Sequence, residues 1–350
     1  MALRKSALHP LEYKIGKSLR TEGLVTAGQR ILVGVSAGAD SMALLHILAA
    51  LSDQYELQLV AVYIDHGLRP RETPAEWARV QEAALCLGCA VDRVAVDVRR
   101  LAREKQQSLE HAARELRYQA FAELAGKWKA EILAVAHTAD DQVEEVLLRL
   151  FRGSGRRALS GMRSRFGHVI RPLLGVRKQA LLAYLADQGI SFCFDSSNEE
   201  RQYLRNRIRL DLLPLLEADY DPGIRQALLK TAANLQQDED LLEALLEDCW
   251  PQVVDFFPPE AEEIPSARLD RQAFCRLHPA LQRRLIEKLL WLLKNTARYE
   301  HILSVCTLAL QGQTGQELHL SQGLRVHVSR EALLFSYPRG RGALRGRLRH

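Results

Sequence analysis

Ile31-Leu32-Val33-Gly34-Val35-Ser36-Ala37-Gly38-Ala39-Asp40-Ser41 decides the fold of this chain. Its first five residues are apolar or small with no polar alternation, the pattern of a strand buried on both faces. Small residues follow, and then Met42, Ala43, Leu44 and Leu45, so the spacing predicts a helix from about Ser41. Three more aliphatic runs, Leu57 to Ile64, Val91 to Val98 and Glu131 to Ala136, alternate with segments of helical period. Leu109, Ala112, Ala113, Leu116 and Ala120 mark one such segment. Buried strands separated by helices are βαβ units, so the prediction is an α/β fold with a doubly wound, mostly parallel, Rossmann-like sheet. In such a sheet the ligand lies beyond the carboxyl ends of the strands.

The turn itself has the make-up of a phosphate cradle. Small side chains at Ala37, Gly38 and Ala39 let backbone approach an anion, and the amides of the first helical turn point at it along the helix dipole. Ser36 and Ser41 add hydroxyl donors. Asp40 is out of place among phosphates unless a cation intervenes, and a magnesium ion bridging carboxylate to phosphate removes the conflict. The plainer reading is a Ser/Asp cap on an ordinary helix. Gly16-Lys17-Ser18 looks like the end of a Walker A loop, but Leu11 stands where that loop needs glycine and no strand precedes it.

Beyond about Pro214 the pattern changes. Residues 224–250 and 278–311 read as helices, split by a proline-rich stretch from Phe257-Pro258-Pro259 to Pro265. Glu317 to Leu320, Leu324 to Val328 and Ala332 to Ser336 alternate as a small β-meander. The division expected is a catalytic domain at 1–215, a helical domain at 216–311 and a short β segment at 312–350. That last segment carries an arginine-rich tail of Arg339, Arg341, Arg345, Arg347 and Arg349.

Bulk properties narrow the class. A formal charge of +5 and pI near 8.9 suit a polyanionic partner without requiring one. No apolar run approaches a membrane span, and the N-terminus has no signal-peptide core, so a cytoplasmic location without membrane is expected. Six scattered cysteines suit a reducing compartment. Cys86 and Cys89 form a lone C-x-x-C inside a predicted helix, best read as small buried thiols.

Four further constellations lie in order along the chain. The second strand runs into Ile64-Asp65-His66-Gly67-Leu68-Arg69. Arg114 and Arg117 share one helix face in Ala113-Arg114-Glu115-Leu116-Arg117-Tyr118. After the fourth strand, Ala136-His137-Thr138-Ala139-Asp140-Asp141-Gln142-Val143-Glu144-Glu145 opens a helix. There Asp141, Glu144 and Glu145 converge at helical spacing, a repulsion that a metal ion or cationic side chains would relieve. Last come Arg152-Gly153-Ser154-Gly155, Arg171-Pro172-Leu173-Leu174, Asp195-Ser196-Ser197-Asn198 and Tyr203-Leu204-Arg205-Asn206-Arg207-Ile208-Arg209.

Taken together these strings resemble the tRNA(Ile)-lysidine synthases, of the PP-loop ATP pyrophosphatases. Ser36 to Ser41 is similar to the S-G-G-x-D-S signature, with Ala37 in place of the first glycine. The segment from His137 is similar to A-H-H-x-x-D-Q-x-E-T, with Thr138 for the second histidine and Glu145 for threonine. The resemblance implies an enzyme that adenylates the wobble cytidine of the CAU-anticodon isoleucine tRNA with ATP. Free L-lysine then attacks C2, giving lysidine, AMP and pyrophosphate.

It further implies ATP at Ser36, Ala37, Gly38, Ala39, Asp40, Ser41, Ile64 and His66, and Mg²⁺ at Asp40 and Asp141. Catalysis is assigned to Asp40, Arg114, His137 and Asp141, and contact with tRNA or substrate to Arg117, Glu144, Arg205, Asn206 and Arg209. The alternative is another PP-loop modifier of tRNA such as a 2-thiolase. The oligomeric state, homodimer included, is left open.

Overall fold

The computed structural model describes residues 8–153, 155–194, 201, 203–258 and 264–338. Ser154, Asp195-Ser196-Ser197-Asn198, Pro259 and the arginine tail singled out above lie outside the described residues. Two compact units are present, Met1–Gln236 and Gln237–His350.

The first unit is built on a six-stranded sheet. Its strands are β1 (Arg30–Gly34), β2 (Gln58–Asp65), β3 (Ala90–Ala95), β4 (Ile132–Ala134), β5 (Arg165–Phe166) and β6 (Val169–Ile170), in the spatial order β3-β2-β1-β4-β6-β5. All neighbours pair in parallel except β5, an antiparallel edge. Alternation along β1 explains the layering. Ile31 and Val33 face a core with α1 (Pro10–Thr21), α2 (Ala39–Tyr55), α3 (Thr73–Cys86) and α8 (Lys178–Asp187). Leu32 faces the other way, onto Phe121 and Leu124 of α5 (Leu109–Trp128). The chain leaves β1 toward β2 and returns on the opposite side as β4, so the winding reverses between β1 and β4. Ligands of doubly wound sheets bind at that crevice.

Edges of the predicted elements shift by a few residues. Helix α2 begins at Ala39 rather than Ser41, because Gly38 already occupies the cap. Strand β3 stops at Ala95, since the Asp97 carboxylate accepts from Arg100 N–H (3.0 Å) and starts α4 (Val98–Glu104). Helix α6 (Ala139–Phe151) packs Val143, Leu147 and Leu148 against Ile208 and Leu213.

The second unit corrects the reading of its sequence in one respect. Strands β7 (Val254–Phe257) and β8 (Ser266–Asp270) flank the proline-rich stretch. With β9 (Glu317–His319), β10 (Arg325–Val328) and β11 (Ala332–Ser336) they form one antiparallel sheet, β7-β8-β11-β10-β9. The predicted meander is therefore the far half of a five-stranded sheet. Helices α12 (Arg271–Arg276), α13 (Pro279–Leu292) and α14 (Tyr299–Gln311) share its core through Phe274, Leu289 and Val305. The helical and β parts, read separately in the sequence, interleave.

Candidate active site

At the end of β1 the backbone turns sharply. Ala37 is fully buried and takes φ 61°, the left-handed region in which a side chain costs about 1–2 kcal/mol. Its carbonyl accepts from Cys193 N–H (2.8 Å). Buried Ser41 closes the loop from the other side: its Oγ accepts from Ser36 N–H (3.0 Å) and donates to the Gly38 carbonyl (2.9 Å). The Ser41 hydroxyl therefore shapes the turn, while Ser36 remains exposed. The first helical bond runs from Met42 N–H to the Gly38 carbonyl, so the amides ahead of it have no partner within the helix.

Asp40 stands in the first turn of α2. One carboxylate oxygen, Oδ1, is buried without a hydrogen-bond partner, and the other lies 3.8 Å from Lys178 Nζ. Burial raises its pKa. The Lys178 ammonium opposes that shift, and the charges of Asp141 and Asp140 add to it.

Asp141 is aimed by a capping box at the start of α6. Thr138 N–H and Oγ1 both donate to Asp141 Oδ2 at 2.9 Å, and Asp141 N–H returns a bond to Thr138 Oγ1 (3.3 Å). The threonine that departs from the family pattern is thus what orients this carboxylate. Burial alone would raise the Asp141 pKa, but Arg205, the Thr138 amide, His137 and the Thr138 hydroxyl outweigh it and hold the group low.

The converging carboxylates on α6 are relieved by cations. Glu144 is fully buried; its oxygens accept from Arg205 Nε (2.9 Å) and from Arg209 Nε (2.6 Å) and Nη2 (3.0 Å). Both arginines come from a short helix, Leu204–Arg207, that continues into a π-turn at Ile208–Leu212, and Asn206 between them is buried. Arg209 lies 3.6 Å from Asp141 as well. Glu145 pairs with Arg149 (2.7 Å). Glu144, expected to contact tRNA or substrate, pairs with Arg205 and Arg209 here.

Asp140 was missed in the sequence because acids in a first helical turn are ordinary. It accepts from Lys178 N–H (2.7 Å) and Arg225 Nη1 (3.2 Å), with Arg177 at 3.4 Å, and so fastens three segments around the site. A cavity of about 260 Å³ opens among Asp40, Asp141, Lys178, Arg209 and Arg225.

Beside this cavity the ends of β2 and β4 carry two histidines. Asp65 accepts from Gly67 N–H (2.9 Å) and Arg93 (2.8 Å), which fixes the turn bearing half-buried His66 next to Ile64. His66 Nδ1 and His137 Nδ1 are each buried without a partner. Burial and then the Arg117 charge push the His66 pKa down to about 4, against Asp65. Burial likewise brings His137 down to about 4; Asp141 opposes, while Arg171, Arg205 and Arg117 contribute. Both rings are neutral at pH 7, and Arg117 of α5 lies within electrostatic range of each. Arg114, one turn earlier, stacks over the Tyr118 ring (5.3 Å). Cys86 and Cys89 end up at the amino edge of β3, opposite the strand ends that carry the site.

The comparisons with known proteins agree with this geometry. A family model described as a PP-loop domain matches residues 8–216. A tRNA(Ile)-lysidine synthase of Geobacillus kaustophilus is 32% identical over 332 residues, 93% of this chain and 70% of that protein. Those of Bacillus subtilis (33%; 91% of this chain, 68% of that protein) and Dehalococcoides mccartyi (34%; 80% and 60%) are similar. The chain thus spans about two thirds of its relatives' length. Among solved structures, the U34-tRNA thiolase NcsA of Methanococcus maripaludis superposes with TM-score 0.53 at 16% identity, over 64% of this chain and 79% of that one, and so shares the fold. A PP-loop turn at the reversal of a parallel sheet, two facing aspartates and relatives alike over most of the length lead to one conclusion: the chain belongs to the tRNA(Ile)-lysidine synthases, ATP-using ligases of the PP-loop class.

Proposed function

We infer that the chain joins free L-lysine to C2 of the wobble cytidine of the CAU-anticodon isoleucine tRNA, consuming ATP. The observation that carries this reading is the unpartnered Asp40 Oδ1, set with Asp141 in one cavity beside the phosphate-binding turn. A buried carboxylate oxygen with nothing to bond, close to a second carboxylate, suits a divalent cation, so Asp40 and Asp141 fit as Mg²⁺ ligands. Mg²⁺ bound there would neutralise charge on the departing pyrophosphate.

The remaining roles follow from placement. Amides of the Ser36–Ser41 turn receive the β and γ phosphates, with Lys178 and Arg209 lining the same cavity. The β2 end at Ile64 and His66 borders the adenine. Cytosine O2 attacks the α-phosphate and pyrophosphate leaves; the lysine amine then attacks C2, and the O2–phosphate group departs as AMP. Arg114 and neutral His137 face the centre where that charge develops, and Arg117 beside them on α5 is a contact for tRNA or substrate. Arg205 and Arg209 support that centre from behind by holding Glu144, with buried Asn206 between them in sequence. The 2-thiolase alternative is disfavoured, because Cys86 and Cys89 sit at the wrong edge of the sheet.

The test is pyrophosphate release from ATP with and without the transcript and L-lysine, followed by detection of lysidine. Asp40→Ala abolishes release while the circular dichroism spectrum is kept. Normal turnover in that variant sinks the reading.

A further inference from the structure

Arg171 belongs to none of the roles above, yet it is 8% exposed and its Nε is buried without a partner. It is the residue directly after β6, on the same strand-end edge as the PP-loop turn. Its own N–H donates to the Ser164 carbonyl (2.7 Å), and Nη1 donates to the Arg163 carbonyl (3.0 Å). A carbonyl satisfies a donor but leaves the charge uncompensated, and an uncompensated buried cation is costly.

The surroundings offset that imbalance only in part. Burial weighs most against the Arg171 charge; the Tyr118 hydroxyl favours it, whereas Arg114 and Arg149 add to the penalty, and the pKa is held below its ordinary value. The neighbouring carboxylates are engaged elsewhere, Glu145 with Arg149 and Glu144 with Arg205 and Arg209. Among the described residues no carboxylate forms an ion pair with Arg171, Arg114 or Arg117. The cavity around Asp40 is acid-rich, whereas this face beyond His137 is base-rich. An anion that the protein does not supply is the natural complement.

Sheet order says which anion. The adenine end lies at β2 and the phosphate cradle at β1; His137 follows at β4 and Arg171 at β6. Strands are about 4.8 Å apart, so Arg171 stands roughly 10 Å from the cradle, on the side of His137 away from ATP. Resting on the tRNA reading above, we propose that Arg171 binds a phosphodiester of the RNA strand that carries the target base. Gripping the backbone there holds the base extruded toward His137 and Asp141, as chemistry on a base requires.

The experiment measures binding of the CAU-anticodon transcript to wild type and Arg171→Gln over about 50 to 200 mM salt. Loss of one phosphate contact makes the log–log salt slope shallower by about 0.7–0.9 and weakens binding on the order of tenfold. The ATP concentration for half-maximal pyrophosphate release stays within about twofold. A structural role would lower the melting temperature and leave the salt slope alone. Unchanged affinity and slope overturn the assignment, as does a loss that falls on ATP instead of RNA. Should Arg171→Gln fail to fold, Arg171→Lys carries the test, since it keeps the charge but not the planar fork. Weaker binding at wild-type melting temperature then supports the proposal, and wild-type affinity defeats it. If wild type forms lysidine while the variants bind normally, only the Arg171 assignment falls; if wild type neither binds nor modifies the transcript, the underlying reading falls with it.

Discussion

At Ala37 two local energies oppose each other. A left-handed φ costs an alanine about 1–2 kcal/mol, while its buried methyl contributes about 0.8 kcal/mol that glycine would forgo. Ala37→Gly should therefore raise stability only slightly, by up to about 1 kcal/mol in urea denaturation; a clear loss would show that packing dominates. Glu144 has no such balance. Glu144→Gln leaves Arg205 and Arg209 facing each other and should cost about 3 kcal/mol, seen as a lower urea midpoint. His66 and His137 set an acid limit. Their folded pKa values, about 4, lie below the unfolded value near 6.5, so the unfolded chain binds more protons in between. Their contribution is complete above about pH 6.5 and is lost as pH falls toward 4; His137→Gln should flatten that part of the stability profile. The residue types at these positions were legible in sequence. What could not be read was which carboxylate pairs with which arginine, because residues 144 and 209 meet only in three dimensions.

Helix α6 shows what an element adds to its residues. Gln142 is buried, and its amide pairs with the Met162 backbone in both directions, donating to the carbonyl (3.0 Å) and accepting from N–H (2.7 Å). Arg149 donates to the carbonyls of Ala158 (2.7 Å) and Gly161 (3.1 Å). From α11 (Ile224–Val253), Gln236 donates to those of Ser160 and Met162, both at 2.7 Å. The segment after α6 is thus fastened from two helices at its far end. Gly161 is indispensable there: it takes φ 75°, and a Cβ would stand 2.6 Å from the Gln142 amide nitrogen. Gly161→Ala should cost about 2 kcal/mol or more and expose the segment to limited proteolysis, which an intact cleavage pattern would contradict. Strands β1 to β4 could be read from the sequence because each is a nearly unbroken apolar run. Strands β7 and β8 could not, since Val254–Phe257 and Ser266–Asp270 become strands only by pairing with each other and with β11, far along the chain. The Gln142–Met162 clamp was equally hidden, as amide side chains carry no periodic signal.

On the scale of the whole molecule, each unit has its own core. Leu32, Ile31 and Leu44 anchor the first, and Leu269, Leu289 and Phe335 the second. Calorimetry should accordingly give a total enthalpy larger than the van't Hoff value of the main transition, whereas equal values would mean one cooperative unit. Mg²⁺ with ATP should raise only the transition of the Met1–Gln236 unit. The strained turn at Ala37 lies within the first of these units. In the genetic code every alanine codon is one base change from a glycine codon, so relief of its left-handed backbone is a single mutation away. Should Ala37→Gly keep wild-type pyrophosphate release, the roughly 1 kcal/mol held at this turn is a cost that the folded state absorbs and that turnover does not require.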